Sequence, residues 1–292
     1  MYVSIRDDIL LAAGYPTIGD GLNALNLHAV ELAVGRDFSV HAPAAGSTKE
    51  RYFLNRNEDV SDLRRLCEGA SIRISALLLA NDFNAPDIEK ELDWIIRTIH
   101  AAGDLGIEAV RIDAIMHGER ELPREEREAL FADRVHRVLD ATASAGVDLG
   151  IENHGYQGND PQFLEDLLAA IGNPRLGLTM DTGNFYWAGH PLDEVYAILQ
   201  RFAPMAKHTH IKNIAYPEAM RNVRRPLGYE YGQYVCPIPE GDIDHSRVVG
   251  YLKAAGYRRD LCIEDESLGK YSEAQRKANL RAAAEFLGSL CN

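Results

Sequence analysis

Four strand-like segments in the second half of the chain each end in a residue able to bind a metal ion. They are Val147-Asp-Leu-Gly-Ile-Glu152, Leu176-Gly-Leu-Thr-Met-Asp181, Lys207-His-Thr-His210 and Asp260-Leu-Cys-Ile-Glu264. Barrel enzymes place their chemistry at the C-terminal ends of strands. Three carboxylates and one imidazole form a hard, mostly oxygen donor set. That set suits Mn2+, Mg2+ or Co2+ better than a structural zinc. One Mn2+ ion is the first expectation, with Mg2+, Co2+ or Zn2+ as alternatives. A C–H beside a ketone is too weak an acid for a lone carboxylate. A chelated divalent ion stabilises the enediolate, and a neighbouring carboxylate can then move the proton. One such residue could also be read as a polar strand end; four in one pattern argue against that reading.

Neighbours of these four are candidates for substrate contact. His154 follows Glu152 by two residues and should face the same side of its strand. His208 stands in the same relation to His210, placed either to orient it or to line the pocket. Asn184 follows the Asp181-Thr-Gly turn, and Lys212 could meet an anionic or enolate oxygen, or a carboxylate. Trp187 offers a ring to a sugar face. Glu266 rivals Glu264 as a ligand; Glu264 is preferred because it directly follows the apolar run. Glu31 suits substrate hydroxyls or a neighbouring strand, and Asp113 and His117 are further pocket candidates. Arg224 and Arg225 could hold a phosphate or carboxylate, or simply face solvent.

The elements that would position these residues alternate strand and helix. Eight strands are expected to begin near Tyr2, Ala29, Ile72, Glu108, Val147, Leu176, His208 and Leu261. Between them the apolar spacing is helical, most clearly from Asp87 to Gly103 and from Arg124 to Ala145. Pro161 and Pro191 open two more helices, and the last spans Ser272 to Leu290. Eight such units point to an α/β fold, a closed (β/α)8 TIM barrel forming one domain over 1–292. No Gly-rich dinucleotide fingerprint follows the first strand, which disfavours a doubly wound sheet. Two long connections, Arg36 to Asn57 and Asn213 to Asp244, would fall on the catalytic face. The second is expected to cover the pocket and to set substrate choice.

The chain has 292 residues, 46% hydrophobic and 26% charged, with 44 acidic against 31 basic residues and a net charge of −13. A diffuse acidic excess disfavours nucleic acid as a partner. Four cysteines lack CxxC spacing, which argues against a disulfide scaffold. The first residues carry early charges, unlike a signal peptide, and no apolar run approaches ~18 residues. A cytoplasmic protein with a small-molecule partner and no membrane partner is expected.

From Gly146 to Glu266 the motifs resemble the xylose isomerase-like TIM-barrel superfamily, the sugar isomerase/epimerase group. That group includes ketose 3-epimerases, hydroxypyruvate isomerase, inosose dehydratase and, more remotely, endonuclease IV. The resemblance implies that Glu152, Asp181, His210 and Glu264 bind one metal. It also implies that Glu152 and Glu264 are the catalytic acid/base pair on opposite faces of a sugar. The activity so implied is a divalent-metal-dependent isomerase or epimerase of a small sugar, ketose or keto-polyol. A lyase of the inosose dehydratase kind is the alternative, and a non-catalytic sugar-binding subunit a remote one. The departure at Asn184, where some members carry histidine, weakens the endonuclease reading. Barrels of this group often pair, so a homo-oligomer is a further expectation.

Overall fold

A computed structural model describes residues 1–291. Eight parallel strands run β1 (Tyr2–Arg6), β2 (Ala29–Ala33), β3 (Arg73–Leu78), β4 (Ala109–Asp113), β5 (Asp148–Glu152), β6 (Leu176–Asp181), β7 (Ala206–His210) and β8 (Asp260–Ile263). All eight expected strand starts lie within two residues of these. In the sheet, β8 pairs with β1, and the order then runs in sequence to β7. The seam between β7 and β8 is closed just past the end of β7. There Ile211 N donates to Cys262 O (2.8 Å) and Glu264 N to Ile211 O (3.0 Å). Deeper down, the Thr209 hydroxyl stands in for the ladder, donating to Asp260 O (3.0 Å) and accepting from Cys262 N (3.2 Å). The result is a (β/α)8 TIM barrel.

Alternation along the strands divides the core in two. Ile5, Val30, Leu32, Val110, Ile112, Leu149, Ile151, Leu178, Met180, Leu261 and Ile263 belong to the apolar cluster beneath the helices. The intervening residues include Glu31, Arg111, Glu152, Thr179, Asp181, His208, His210, Cys262 and Glu264. They are all buried, and they bond to one another. The barrel interior is therefore mostly polar near its C-terminal end, while the helix–sheet layer supplies the hydrophobic stabilisation.

The expected helices form at Ile88–Leu105, Arg124–Ala141, Pro161–Ile171, Leu192–Phe202 and Glu273–Leu290. The second stops short of Ala145. The Thr142 hydroxyl bonds back to Val138 O (2.7 Å), and a 3-10 turn, Ala143–Ala145, carries the chain to Gly146. The two long connections have structure of their own. The first holds an antiparallel pair, Ser39–His41 with Arg51–Phe53. The second holds the pair Asn213–Ile214 with Val235–Cys236 and two short helices, Glu218–Arg221 and Tyr231–Tyr234.

Candidate active site

The strand ends bring the four expected ligands together, although Glu152 is in register with Thr179, two residues before Asp181. Asp113 pairs with Glu152 across β4–β5, and Asp181 with His210 across β6–β7. Glu264 is hydrogen-bonded through its backbone to Ile211, next to His210. All four side chains are buried, with Asp181 and His210 fully enclosed. One donor atom from each lies within 4.8 Å of the others. His210 Nδ1 is 3.3 Å from Glu152 Oε1 and 3.6 Å from Glu264 Oε1, so the two glutamates converge on one ring nitrogen.

Three cations surround the cluster. Arg111, inside β4, pairs with Glu152 and with Asp113 (3.0 Å). Arg6, at the end of β1, pairs with Glu264. The Lys212 ammonium lies 3.1 Å from Asp181 Oδ2, 2.9 Å from Glu264 Oε2 and 3.0 Å from Glu266 Oε1. Gly183 makes this reach practicable, because a Cβ there would come within 2.5 Å of Lys212 Cγ. Burial disfavours charge on Glu152, but Arg111 and His210 outweigh it and hold its carboxyl well below the usual range. Lys212, His210 and Arg6 do the same for Glu264. For Asp181, burial wins, with Glu264 and Glu152 adding to it against Lys212, and its pKa is pushed well up. Burial would lower the His210 pKa, yet Glu31, Glu264 and Glu152 raise it to about 10.

The donor set fits a divalent cation on two grounds. Asp181 Oδ2, His210 Nδ1 and Glu264 Oε2 are buried and have no hydrogen-bond partner. Lys212 approaches two of them closely but not along a hydrogen-bond direction, so these three atoms remain available as ligands. The other face of the imidazole is held by Glu31, at 2.9 Å from His210 Nε2, an arrangement usual for metal-binding histidines.

The other expected residues take varied places. Asn184 donates to Glu152 Oε1 (3.3 Å), which helps to fix that carboxylate. His154 is at the rim, its Nδ1 3.2 Å from Asp113 Oδ1. Glu266 is exposed, accepts from the Tyr231 hydroxyl and holds Lys212. Trp187 is half-buried against Gly228 of the long 213–244 connection. His208 corrects an expectation of substrate contact. It is fully enclosed beneath His210, between Glu31 (3.0 Å) and Asp260 (2.9 Å). Two residues down a strand keep the same side but drop one layer into the barrel. Arg225 corrects another. It is buried, and its two terminal nitrogens donate to the carbonyls of Tyr186, His190 and Val223, so it is enclosed by the chain and not presented to a phosphate. Arg224 is exposed and pairs with Glu194. His117 is exposed, and its backbone N donates to Asp82. Arg6 and Arg111 went unnoticed in the sequence. Their signal was a charged residue at inward positions of otherwise apolar strands.

Residues 22–290 match the xylose isomerase-like TIM barrel family model. The chain belongs to that family. An inosose dehydratase from Serratia proteamaculans is 24% identical over 140 residues, 46% of this chain and 46% of that protein. One from Yersinia enterocolitica matches to the same extent, and the matched stretch spans about half the length of these relatives. Among solved structures, the IOLI protein with a bound zinc atom superposes with a TM-score of 0.73 at 14% identity, covering 100% of this chain and 98% of that one. L-ribulose 3-epimerase gives 0.70 at 16% identity, covering 100% and 95%. At such identities the likeness is one of fold.

Proposed function

We propose that the protein is an enzyme that moves a proton beside the carbonyl of a small ketose or keto-polyol, as an isomerase or epimerase. The observation that carries this reading is the convergence of two buried carboxylates, Glu152 and Glu264, on His210 Nδ1 (3.3 and 3.6 Å). Both are held as carboxylates by neighbouring cations, so each can accept a proton and neither begins as a donor. Glu152, Asp181, His210 and Glu264 would hold one divalent ion, Mn2+ first on the grounds of the oxygen-rich donors, with Mg2+, Co2+ or Zn2+ as alternatives. Such an ion, when bound, supplies Lewis-acid polarisation of a substrate carbonyl and its neighbouring hydroxyl.

The chain's own groups do the rest. One glutamate takes the proton from the carbon beside the carbonyl; the other, once it has taken a proton from solvent, delivers it to the opposite face, and the first releases its proton to solvent to restore the starting state. Arg111 and Asn184 keep Glu152 in place, and Arg6 keeps Glu264. Lys212 is within reach of an oxygen that gains negative charge. His154 and Glu266 at the rim are placed to meet substrate hydroxyls, with the buried Asp113 holding His154, and Trp187 stands beside the covering loop. That loop reaches the site through Tyr231 on Glu266, which supports its role in excluding water and choosing substrate.

The dehydratase relatives favour a second reading, in which the same abstraction is followed by loss of a β-hydroxyl as water. One experiment separates the two. Purified protein with Mn2+ is incubated with a panel of ketoses and keto-inositols in D2O. Deuterium beside the carbonyl of product, and of recovered substrate, is the expected result. It should fall by roughly 10^2–10^4 in Glu152→Gln or Glu264→Gln. Turnover without solvent label would indicate a hydride shift and overturn the two-glutamate mechanism. Label together with loss of water would establish the dehydratase.

A further inference from the structure

Below the four-residue cluster lies a second group of buried side chains: Glu31, His208, His210 and Cys262, with Asp260 beneath. Its composition resembles a metal site, but its atoms are already spoken for. Glu31 gives Oε1 to His208 Nε2 (3.0 Å) and Oε2 to His210 Nε2 (2.9 Å). Cys262 Sγ stands off at 3.9 Å from Glu31 Oε2. Each carboxylate oxygen serves a different histidine, so the group is a completed bridge and not a cradle for an ion. Asp260 Oδ2 then lies 2.9 Å from His208 Nδ1, a charge contact bent away from the N–H direction. Asp260 is fixed in turn by the Tyr257 hydroxyl (3.1 Å). The chain of contacts runs from the floor of β8, through β7 and β2, and back to β7 at His210.

An imidazole that binds a cation through one nitrogen keeps its single proton on the other. A carboxylate can only accept, so the nitrogen hydrogen-bonded to Glu31 carries the proton, whereas Nδ1 has carboxylates at 3.3 and 3.6 Å but no hydrogen bond to either. We infer that Glu31, steadied by His208 and Asp260, is a positioning residue that keeps His210 Nε2 protonated and leaves Nδ1 as the nitrogen for a cation. The inference rests on the reading of Glu152, Asp181, His210 and Glu264 as a cation site. It explains why His208 is enclosed and away from substrate. It also gives Glu31 a task beyond filling the barrel, since a filler would need no acceptor on both oxygens.

The test is zinc titration of the full chain labelled with 15N-histidine. Zinc is diamagnetic, so two-bond proton–nitrogen spectra read each ring nitrogen directly. In the wild type, His210 should show zinc on Nδ1 and a proton on Nε2. Glu31→Leu keeps the bulk but offers no acceptor. It should lose about 10–100-fold in zinc affinity, the range for outer partners of metal ligands. Glu31→Gln keeps one acceptor for His210 and can donate to His208, so it should recover most of that loss. Zinc held by His210 through Nε2 in the wild type would overturn the inference, and this reading needs no variant to fold. So would a folded Glu31→Leu protein with wild-type affinity and an unchanged His210 spectrum. Wild-type protein in which His210 takes no zinc would instead overturn the cation-site reading, and the inference with it.

Discussion

Asp181 is the member of the cluster whose charge is hardest to sustain. It is fully buried, with Glu152 and Glu264 beside it, and Lys212 is the positive charge that opposes them. Its Oδ1 accepts from Gly183 N (2.8 Å) and Asn184 N (2.7 Å), which a neutral amide oxygen could do as well. Asp181→Asn should therefore leave the chelator-treated protein as stable as the wild type, or more stable. Its cation affinity should fall by more than the roughly 10–100-fold typical of losing an outer partner. Thermal melts in chelator and calorimetric titration with Mn2+ measure the two effects. A lower melting temperature with unchanged affinity would mark Asp181 as a structural cap. Lys212 fits the same view, since burial opposes its charge while Asp181, Glu264 and Glu266 raise its pKa well above the usual value. A permanent cation is thus kept where carboxylates crowd.

At the scale of elements, the connection from Asn213 to Asp244 is a folded flap and not a loose loop. Arg225 staples it, giving hydrogen bonds to Tyr186 O (3.0 Å) and His190 O (3.0 Å) on the barrel side and to Val223 O (3.1 Å) within the flap. Its guanidinium also stacks at 4.4 Å over Tyr186 and 4.2 Å over Tyr216. Gly189, with φ +99°, admits this docking, because a Cβ there would come within 2.0 Å of Arg225 O. Arg225→Ala should release the flap while sparing the barrel. Amide hydrogen exchange across 213–244 should quicken about tenfold or more, with β1–β8 unchanged. Uniform quickening over the whole chain would place Arg225 in the general core instead. A substrate profile that shifts in this variant, at constant metal affinity, would support the flap as the selector.

At the scale of the whole molecule, a histidine buried in the helix layer makes stability depend on pH. His245, the first residue of the helix His245–Ala254, is buried against the Thr182 hydroxyl (3.2 Å). Burial lowers its pKa from 6.5 to about 4. Between those values the unfolded chain binds a proton that the folded chain does not. The contribution of His245 is then present in full above pH ~6.5 and is lost as pH falls towards 4. The span corresponds to about 3 kcal/mol at most. Urea unfolding at pH 7 and pH 4.5 should cost the wild type more stability than His245→Gln. Parallel curves for the two would remove His245 from the acid response.

The sequence by itself determined the barrel, because strand-and-helix alternation is a local signal repeated eight times. It also determined which four residues end strands β5 to β8, since apolar runs stop there in plain view. What a strand end meets across the barrel depends on register and shear, which no local pattern carries. Only the tertiary structure put Arg111 on Glu152, Arg6 on Glu264 and Lys212 between Asp181 and Glu264. It alone sank His208 one layer below His210, since a spacing of two residues gives the side of a strand but not the depth at which neighbours close over it. The separation of Glu31 from His210 by 179 residues hid the bond between them for the same reason. Arg225 was legible as a basic loop residue, but its burial followed from the flap folding back on Tyr186 and His190, a long-range docking that composition does not encode.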